Sequence, residues 1–505
     1  MSDIDYKKLT MEELKCMFKG VHFKTPPMHH QLVSLAFALD LDRTKVNFIH
    51  DIGTGKTLVG LYTAWLWRPR SILVVCPNSV IHKTWVKQIR KHTDFTYTVL
   101  DGPTDERLDK LNDRSDIYLI NYEGLMYVWG KKVTIFSDRG KNLGGGFELD
   151  ETKLSRHFDC LIFDELHKLK NRESIRTRIA HQLALRAKYV IGLTGTPIST
   201  SEMDLWAEYW VLDNGESLGR NFFSFRRSFF KEGFYEWKIN GEAARKRLLD
   251  KIGHITLRYD REECFDLPDK LPPQIRLGVL TKQQLKLTNN VINDLQIEMD
   301  SGVLKRQDVL HKGLRLLQIT GGFLPVINPT TGKEECEYLR TNPKMELLLE
   351  VLEEIRGKVI VFHQFVPEGR LIEHALKKEG YTYASLRGEV KGKEAEYERF
   401  LHDPSVKVLI ANPQCGGEGV DELQNICSVM VFYSNAYLAL TRRQAEGRIF
   451  RKGQQKRCLF IDLALEGSMD EIVLQGLEEG KEMLDNVLHY IREFKYKRSR
   501  SNAND

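Results

Sequence analysis

Two stretches of this sequence carry residue types that could act on phosphate. Gly53-Thr54-Gly55-Lys56-Thr57 follows an apolar run (Val46, Phe48, Ile49) and leads into a helical pattern from Leu58 to Trp67. Its glycines let the backbone curl so that N–H groups point inward, and the helix N-terminus adds positive dipole. Lys56 can reach the β- and γ-phosphates of a nucleotide, and the Thr57 hydroxyl can hold Mg²⁺. The strict phosphate-loop pattern wants glycine at position 50, where this chain has His50. Taken alone, such a core also suits a surface turn between strand and helix. The second stretch closes the apolar run His157–Phe163 with Asp164-Glu165-Leu166-His167. An aspartate at the C-terminal end of a buried parallel strand faces the ligand crevice of an open α/β sheet. There Asp164 can coordinate Mg²⁺ while Glu165 orients and deprotonates an attacking water. The phosphate loop upstream makes this pair far more telling than two adjacent acids alone.

Elements that position these residues are legible in the hydrophobic pattern. Ser71–Asn78, Tyr97–Leu100, Ile117–Asn121 and Tyr189–Leu193 read as short buried strands separated by helices, one of which carries Trp85, Val86 and Ile89. That alternation predicts a three-layer α/β domain. Gln31 opens a helix ahead of the loop, and its amide can donate to and accept from an adenine edge at once; a surface glutamine is the commoner reading. Residues 130–150 are polar and glycine-rich, which predicts a surface insertion or flexible loop. Between 203 and 340 the chain turns aromatic and basic, then charged and helical. The run Phe222-Phe-Ser-Phe-Arg-Arg-Ser-Phe-Phe230 admits base stacking or phosphate contact, and core packing is the more frequent use of aromatics at this spacing. A second α/β pattern starts near Lys344, with strands at 358–365, 381–386, 406–411 and 428–433. It has a glycine-rich turn at 415–421 but no second Gly-Lys-Thr, so it reads as a partner lobe. Arg448 and Arg451 stand three apart, a spacing that puts both guanidinium groups on one helical face, where they could meet a γ-phosphate. A terminal helix from Met469 to Ile491 precedes a basic tail, 492–500.

Composition narrows the class. The chain has 505 residues, 42% hydrophobic and 29% charged, with a net charge of +5, which suits a globular protein of several domains. That charge permits a polyanionic partner without requiring one. No apolar run is long enough for a membrane span, and the acidic start is no secretory signal. Eight scattered cysteines without a Cys-x-x-Cys pair read as reduced thiols, with neither zinc nor disulfides.

The blocks Gln31, Gly-Thr-Gly-Lys-Thr (53–57), Asn-Tyr-Glu-Gly-Leu (121–125), Asp-Glu-Leu-His-Lys-Leu-Lys-Asn (164–171), Leu-Thr-Gly-Thr-Pro (193–197) and Gln-x-x-x-Arg-x-x-Arg-x-Gly-Gln (444–454) stand in the order of a known family. The chain resembles the SWI/SNF-like ATP-dependent DNA translocases of helicase superfamily 2, over about residues 25–470. The resemblance implies two RecA-like three-layer lobes with helical insertions between them: a lead-in at 1–24, lobe 1 at 25–205, protrusions and linker at 206–340, lobe 2 at 341–480, and a helix end and tail at 481–505. It further implies ATP and Mg²⁺. Gln31, Gly53, Thr54, Gly55, Lys56, Thr57, Gly419 and Asp421 would bind the nucleotide, and Thr57 and Asp164 the metal. Lys56, Asp164, Glu165, Gln444, Arg448 and Arg451 would carry hydrolysis, and His167, Thr194 and Thr196 would couple it to motion. The expected partner is double-stranded DNA, held by its backbone with weak sequence preference, alongside replication, recombination or transcription proteins. The expected place is inside the cell, in cytoplasm or nucleoid for a bacterial or phage protein and in the nucleus for a eukaryotic one. The alternatives are a strand-separating DNA or RNA helicase of the same superfamily, or a non-hydrolysing scaffold subunit. His50, Glu418 (at an apolar position of the second glycine turn) and Asp421 (where the family carries Asn) depart from the pattern.

Overall fold

The computed structural model describes residues 5–40, 43–51, 53–136, 142–155, 158–195, 201–233, 237–265, 267–268, 270–300, 306–327, 332, 334–390, 392–412, 422–435, 439–479, 487 and 490. Thr196, Glu418, Gly419, Asp421 and the basic tail lie outside the described residues. The chain divides into two compact units, 1–265 and 266–505.

The first unit is built on a seven-stranded sheet. Its strands are β1 (Lys45–His50), β2 (Ile72–Cys76), β3 (Tyr97–Val99), β4 (Ile117–Asn121), β7 (Cys160–Asp164), β8 (Tyr189–Thr194) and β11 (Thr256–Tyr259). Their order is β11-β1-β8-β7-β2-β4-β3, and every pairing is parallel. Alternate residues of β2, β4, β7 and β8 feed two separate cores. Ile72, Val74 and Cys76 pack on one face and Leu73 and Val75 on the other. Burial on both faces explains why these strands read as unbroken apolar runs, and it makes the unit three-layered. Helix Lys56–Trp67 lies close on β8: a Cβ added to its Gly60 would come within 2.9 Å of Leu193.

Residues 130–150 are not a loop. They form an antiparallel hairpin of β5 (Gly130–Phe136) and β6 (Asn142–Leu149), in which Gly144, Gly145 and Gly146 pair with Ile135, Thr134 and Val133. Glycines without side chains erase the two-residue alternation that marks a strand, although the ladder bonds they make are ordinary. A smaller hairpin, β9 (Phe230–Glu232) with β10 (Trp237–Ile239), follows helix Phe222–Phe229. Phe225, Phe229 and Phe230 are buried, so most of the aromatic–basic run serves packing.

The second unit repeats the plan with six parallel strands. They are β12 (Gln274–Gly278), β15 (Lys358–Phe362), β16 (Tyr383–Ser385), β17 (Val408–Ala411), β18 (Cys427–Phe432) and β19 (Leu459–Leu465), in the order β12-β19-β18-β15-β17-β16. Here too alternate residues separate: Ile360 and Phe362 face one core, Val359 and Val361 the other. Two long helices, Lys282–Asp300 and Arg306–Gly321, and the hairpin β13 (Phe323–Ile327) with β14 (Glu334–Tyr338) are inserted after β12. Two three-layer parallel α/β units with helical insertions are the fold the sequence predicts. Among the described residues no helix is long and apolar enough to cross a membrane.

Candidate active site

The glycine loop stands between β1 and helix Lys56–Trp67, where Gly53 (φ +86°) and Gly55 (φ +83°) both take left-handed backbone. That conformation is cheap for glycine and strained for other residues. The helix ahead of the loop, His29–Leu39, holds it from behind. The Thr54 carbonyl accepts from His30 Nε2 at 2.8 Å and from Gln31 Nε2 at 3.2 Å, while Gln31 Oε1 accepts from the Met28 amide at 2.9 Å. Gln31 is buried, and a Cβ on Gly55 would lie 2.5 Å from its Nε2. Each polar end of the Gln31 amide keeps one further hydrogen-bonding position. Asp51 is anchored by Arg261, Nη2 to Oδ2 at 3.0 Å. Thr57 is the second residue of the helix.

His50 does not take up the glycine's place in the loop. It ends β1 with its ring fully buried among Phe48, Tyr259 and His30, and its Nε2 lies 3.3 Å from Ser34 Oγ. Burial, then the charges of His30, Lys56 and Lys7, push its pKa down to about 3, so it is neutral at pH 7.

Lys56 opens the helix and sends its Nζ to 3.4 Å from Glu165 Oε1. Burial works against its charge, but Glu165, Asp164 and Asp51 outweigh it and hold the lysine pKa above the usual range. The loop and the acid pair thus meet at one edge of the sheet. Asp164 ends β7, buried, with Oδ2 accepting from Trp85 Nε1 at 2.8 Å. Its Oδ1 has no hydrogen-bond partner among the described residues. Burial, reinforced by the neighbouring Glu165 charge, lifts its pKa to about 6. An orphaned buried carboxylate oxygen beside a lysine suits a divalent cation carrying phosphate.

Glu165 is held in left-handed backbone, φ 57° and ψ 56°, an uncommon state for a residue with a Cβ. Tyr122 supports it: its hydroxyl donates to the Asp164 carbonyl at 2.8 Å and lies 3.4 Å from that of Glu165. Strain of this kind persists only where surroundings enforce it. Burial pushes the Glu165 carboxyl up, but Lys56 and His167 overcome it and leave the pKa below the usual range. Glu165 is therefore ionised at neutral pH beside a partly protonation-prone aspartate, a division of roles that suits a base next to a metal ligand. His167 Nδ1 lies 3.4 Å from Glu165 Oε2 and 3.4 Å from Thr194 Oγ1, linking the acid pair to the end of β8. Burial lowers its pKa.

Trp85, Tyr122, His30 and Arg261 are site residues that sequence reasoning missed. Trp85 lies on a π-helical turn, Ile81–Val86, an irregularity often found at functional sites. Tyr122 stands inside the 121–125 block, and its hydroxyl is buried under the acid pair.

In the second unit, the expectation of one helical face for Arg448 and Arg451 is corrected. The helix, Ala439–Glu446, includes Gln444 and stops before both arginines. From Gly447 onward the chain turns, and bonds such as Arg448 N to Ala445 O (3.0 Å) span three residues instead of four. Glycine weakens continuation of a helix, and the turn lets both Ile449 and Phe450 reach the core. The arginine that locks this block is Arg442, which donates to Asp462 Oδ2 (3.0 Å) and Glu446 Oε1 (2.8 Å) and stacks 3.5 Å from the Phe432 ring centroid.

The SNF2-related domain matches residues 30–320, more than half of the chain. The DNA repair and recombination protein RDH54 of Saccharomyces cerevisiae is 24% identical over 498 residues, covering 88% of this chain and 51% of its own. The uncharacterized ATP-dependent helicase YqhH of Bacillus subtilis is 23% identical over 492 residues, covering 92% of this chain and 79% of its own. The chain thus spans about half the length of the curated relatives it matches first. A solved SWI2/SNF2 ATPase core of Sulfolobus solfataricus, in complex with dsDNA, is 23% identical with a TM-score of 0.42, covering 90% of this chain and 91% of its own.

Proposed function

This chain belongs to the SNF2-related domain family, and we propose that it hydrolyses ATP to drive movement along double-stranded DNA. The observation that carries the reading is the meeting of Lys56 with Glu165, at 3.4 Å, beside the orphaned oxygen of Asp164. In this proposal the Gly53–Gly55 backbone and the Lys56 ammonium bind the β- and γ-phosphates of ATP. The remaining donor and acceptor of Gln31 read the adenine edge. Thr57 and Asp164 would hold Mg²⁺, which neutralises phosphate charge when bound. Glu165, kept ionised by Lys56, accepts the proton of the attacking water. Arg448 and Arg451 supply positive charge to the transferring phosphoryl group, Gln444 donates a hydrogen bond there from its amide, and Gly419 and Asp421 contact the nucleotide. His167, Thr194 and Thr196 relay the state of the γ-phosphate.

Family membership and the similarity to RDH54, a DNA repair and recombination protein, favour DNA as the track. Contacts are proposed to fall on the phosphate backbone, which makes binding salt-sensitive and weakly dependent on sequence. The test is steady-state ATP hydrolysis with duplex, single-stranded, forked and four-way DNA and with RNA. Duplex DNA should raise turnover well above the nucleic-acid-free rate. Glu165→Gln should abolish that turnover, a loss of about 10²–10⁴-fold, while ATP still binds. Stimulation by RNA alone would replace this reading with an RNA helicase, and a flat rate with every nucleic acid would leave a scaffold.

A further inference from the structure

The aromatic–basic run 222–230 has one member that packing does not explain. Phe225, Phe229 and Phe230 are buried, but Phe223 leaves 51% of its surface open on helix Phe222–Phe229. It is not a loose side chain. Arg172 lies 5.3 Å and Arg226 5.4 Å from its ring centroid, and the same guanidinium groups cover Phe222 (4.0 Å) and Trp237 (4.1 Å). Phe222 packs edge-on against Trp206 at 5.4 Å, Trp206 stacks on Trp210 at 5.5 Å, and Trp210 stacks on His181 at 3.7 Å. The open ring therefore stands at the head of a braced aromatic column.

Its surroundings are cationic. The segment Arg220-Asn-Phe-Phe-Ser-Phe-Arg-Arg227 holds three arginines and no acid, and Arg220 and Arg227 are exposed. Glu173 pairs with Arg172 at 2.8 Å. An exposed aromatic face among arginines complements an anionic ligand that itself offers a flat π-surface, which is the chemistry of a nucleotide base on its phosphate backbone. Bases within a duplex hide their faces against each other, so a ring projecting from a helix can reach one only where the strand is unpaired.

We propose that Phe223, flanked by Arg172, Arg226 and Arg227, is a stacking site for an unpaired base of single-stranded DNA adjoining the duplex. The inference rests on the reading of DNA as this protein's track, and adds to it a preference for duplex with a single-stranded flank. Arg172 also connects the site to the segment that follows the acid pair, so an occupant there touches the same stretch of chain that carries Glu165.

The test measures fluorescence anisotropy of the full chain on a blunt duplex and on the same duplex with an oligo-dT flank, with 2-aminopurine in the flank as a stacking reporter. The wild-type chain should bind the flanked duplex more tightly and quench 2-aminopurine. Phe223→Ala should weaken binding to the flanked duplex about tenfold and abolish the quenching, with no matching loss on the blunt duplex; Phe223→Tyr should restore both. An unchanged melting temperature for Phe223→Ala separates the effect from misfolding. Equal affinity of the wild-type chain for both DNAs overturns the proposal, as does an equal loss on both by Phe223→Ala, which would mark a general duplex contact. Failure to bind either DNA would overturn the duplex reading itself.

Discussion

Gly55→Ala is the sharpest perturbation of the phosphate loop, and its cost can be worked from two independent features. The residue sits at φ +83°, where an L side chain costs about 1–2 kcal/mol. The new methyl would also lie 2.5 Å from Gln31 Nε2. Gln31 is only 2% exposed and is bonded to Met28 N and Thr54 O, so moving aside means losing bonds, each about 1 kcal/mol net. The sum is about 3 kcal/mol, which depopulates the binding-competent loop and weakens ATP affinity roughly 100-fold. Gln31→Ala removes the obstacle, so in that background Gly55→Ala should cost only its backbone part. A double-mutant cycle on fluorescent-nucleotide affinity should therefore show a coupling of about 1–2 kcal/mol, with the pair less harmful than the sum. Additive losses, with coupling under about 0.3 kcal/mol, would refute the claim that Gln31 braces this loop.

Further expectations concern charge. Because the folded pKa of His50, about 3, lies below its free value of 6.5, the unfolded chain takes up the proton first. Its contribution is whole above pH 6.5 and is lost as pH falls toward 3, at about 1.4 kcal/mol per pH unit; urea denaturation of His50→Leu should show a correspondingly shallower acid dependence. In the second unit Lys344 and Asp470 form a buried pair at 2.7 Å, with side chains 0% and 6% exposed. Lys344→Ala should destabilise this unit by about 3–5 kcal/mol in calorimetry or denaturant titration, and Lys344→Met combined with Asp470→Leu should recover much of it. Arg448→Ala and Arg451→Ala should each cut kcat by about 10³-fold or more, with nucleotide affinity by direct titration little changed.

Much of this fold is written in local pattern. Ile117–Asn121 and Ile72–Cys76 are legible as strands because burial on both faces demands continuous apolar residues, and Lys56 and Asp164-Glu165 are legible because phosphate chemistry restricts residue type and order. What escaped depends on contacts between distant segments or on residues without side chains. His50 is drawn into the core by His30 and Tyr259, which the sequence separates widely. Trp85 reaches Asp164 only through a π-helical turn, which no periodicity announces. The Gly144–Gly146 strand lacks the alternation that would reveal it. Arg448 and Arg451 have helical spacing, but the chain turns from Gly447 and takes Ile449 and Phe450 into the core.

In the proposed function, the site formed by Lys56, Asp164 and Glu165 turns ATP into motion along duplex DNA. Displacement of a third strand from a triplex tests it most directly, because a motor must travel the duplex to strip the third strand away. Displacement should require ATP, proceed without separation of the duplex strands, and vanish in Glu165→Gln. A triplex left intact while the protein hydrolyses ATP at the same rate with or without DNA would contradict it.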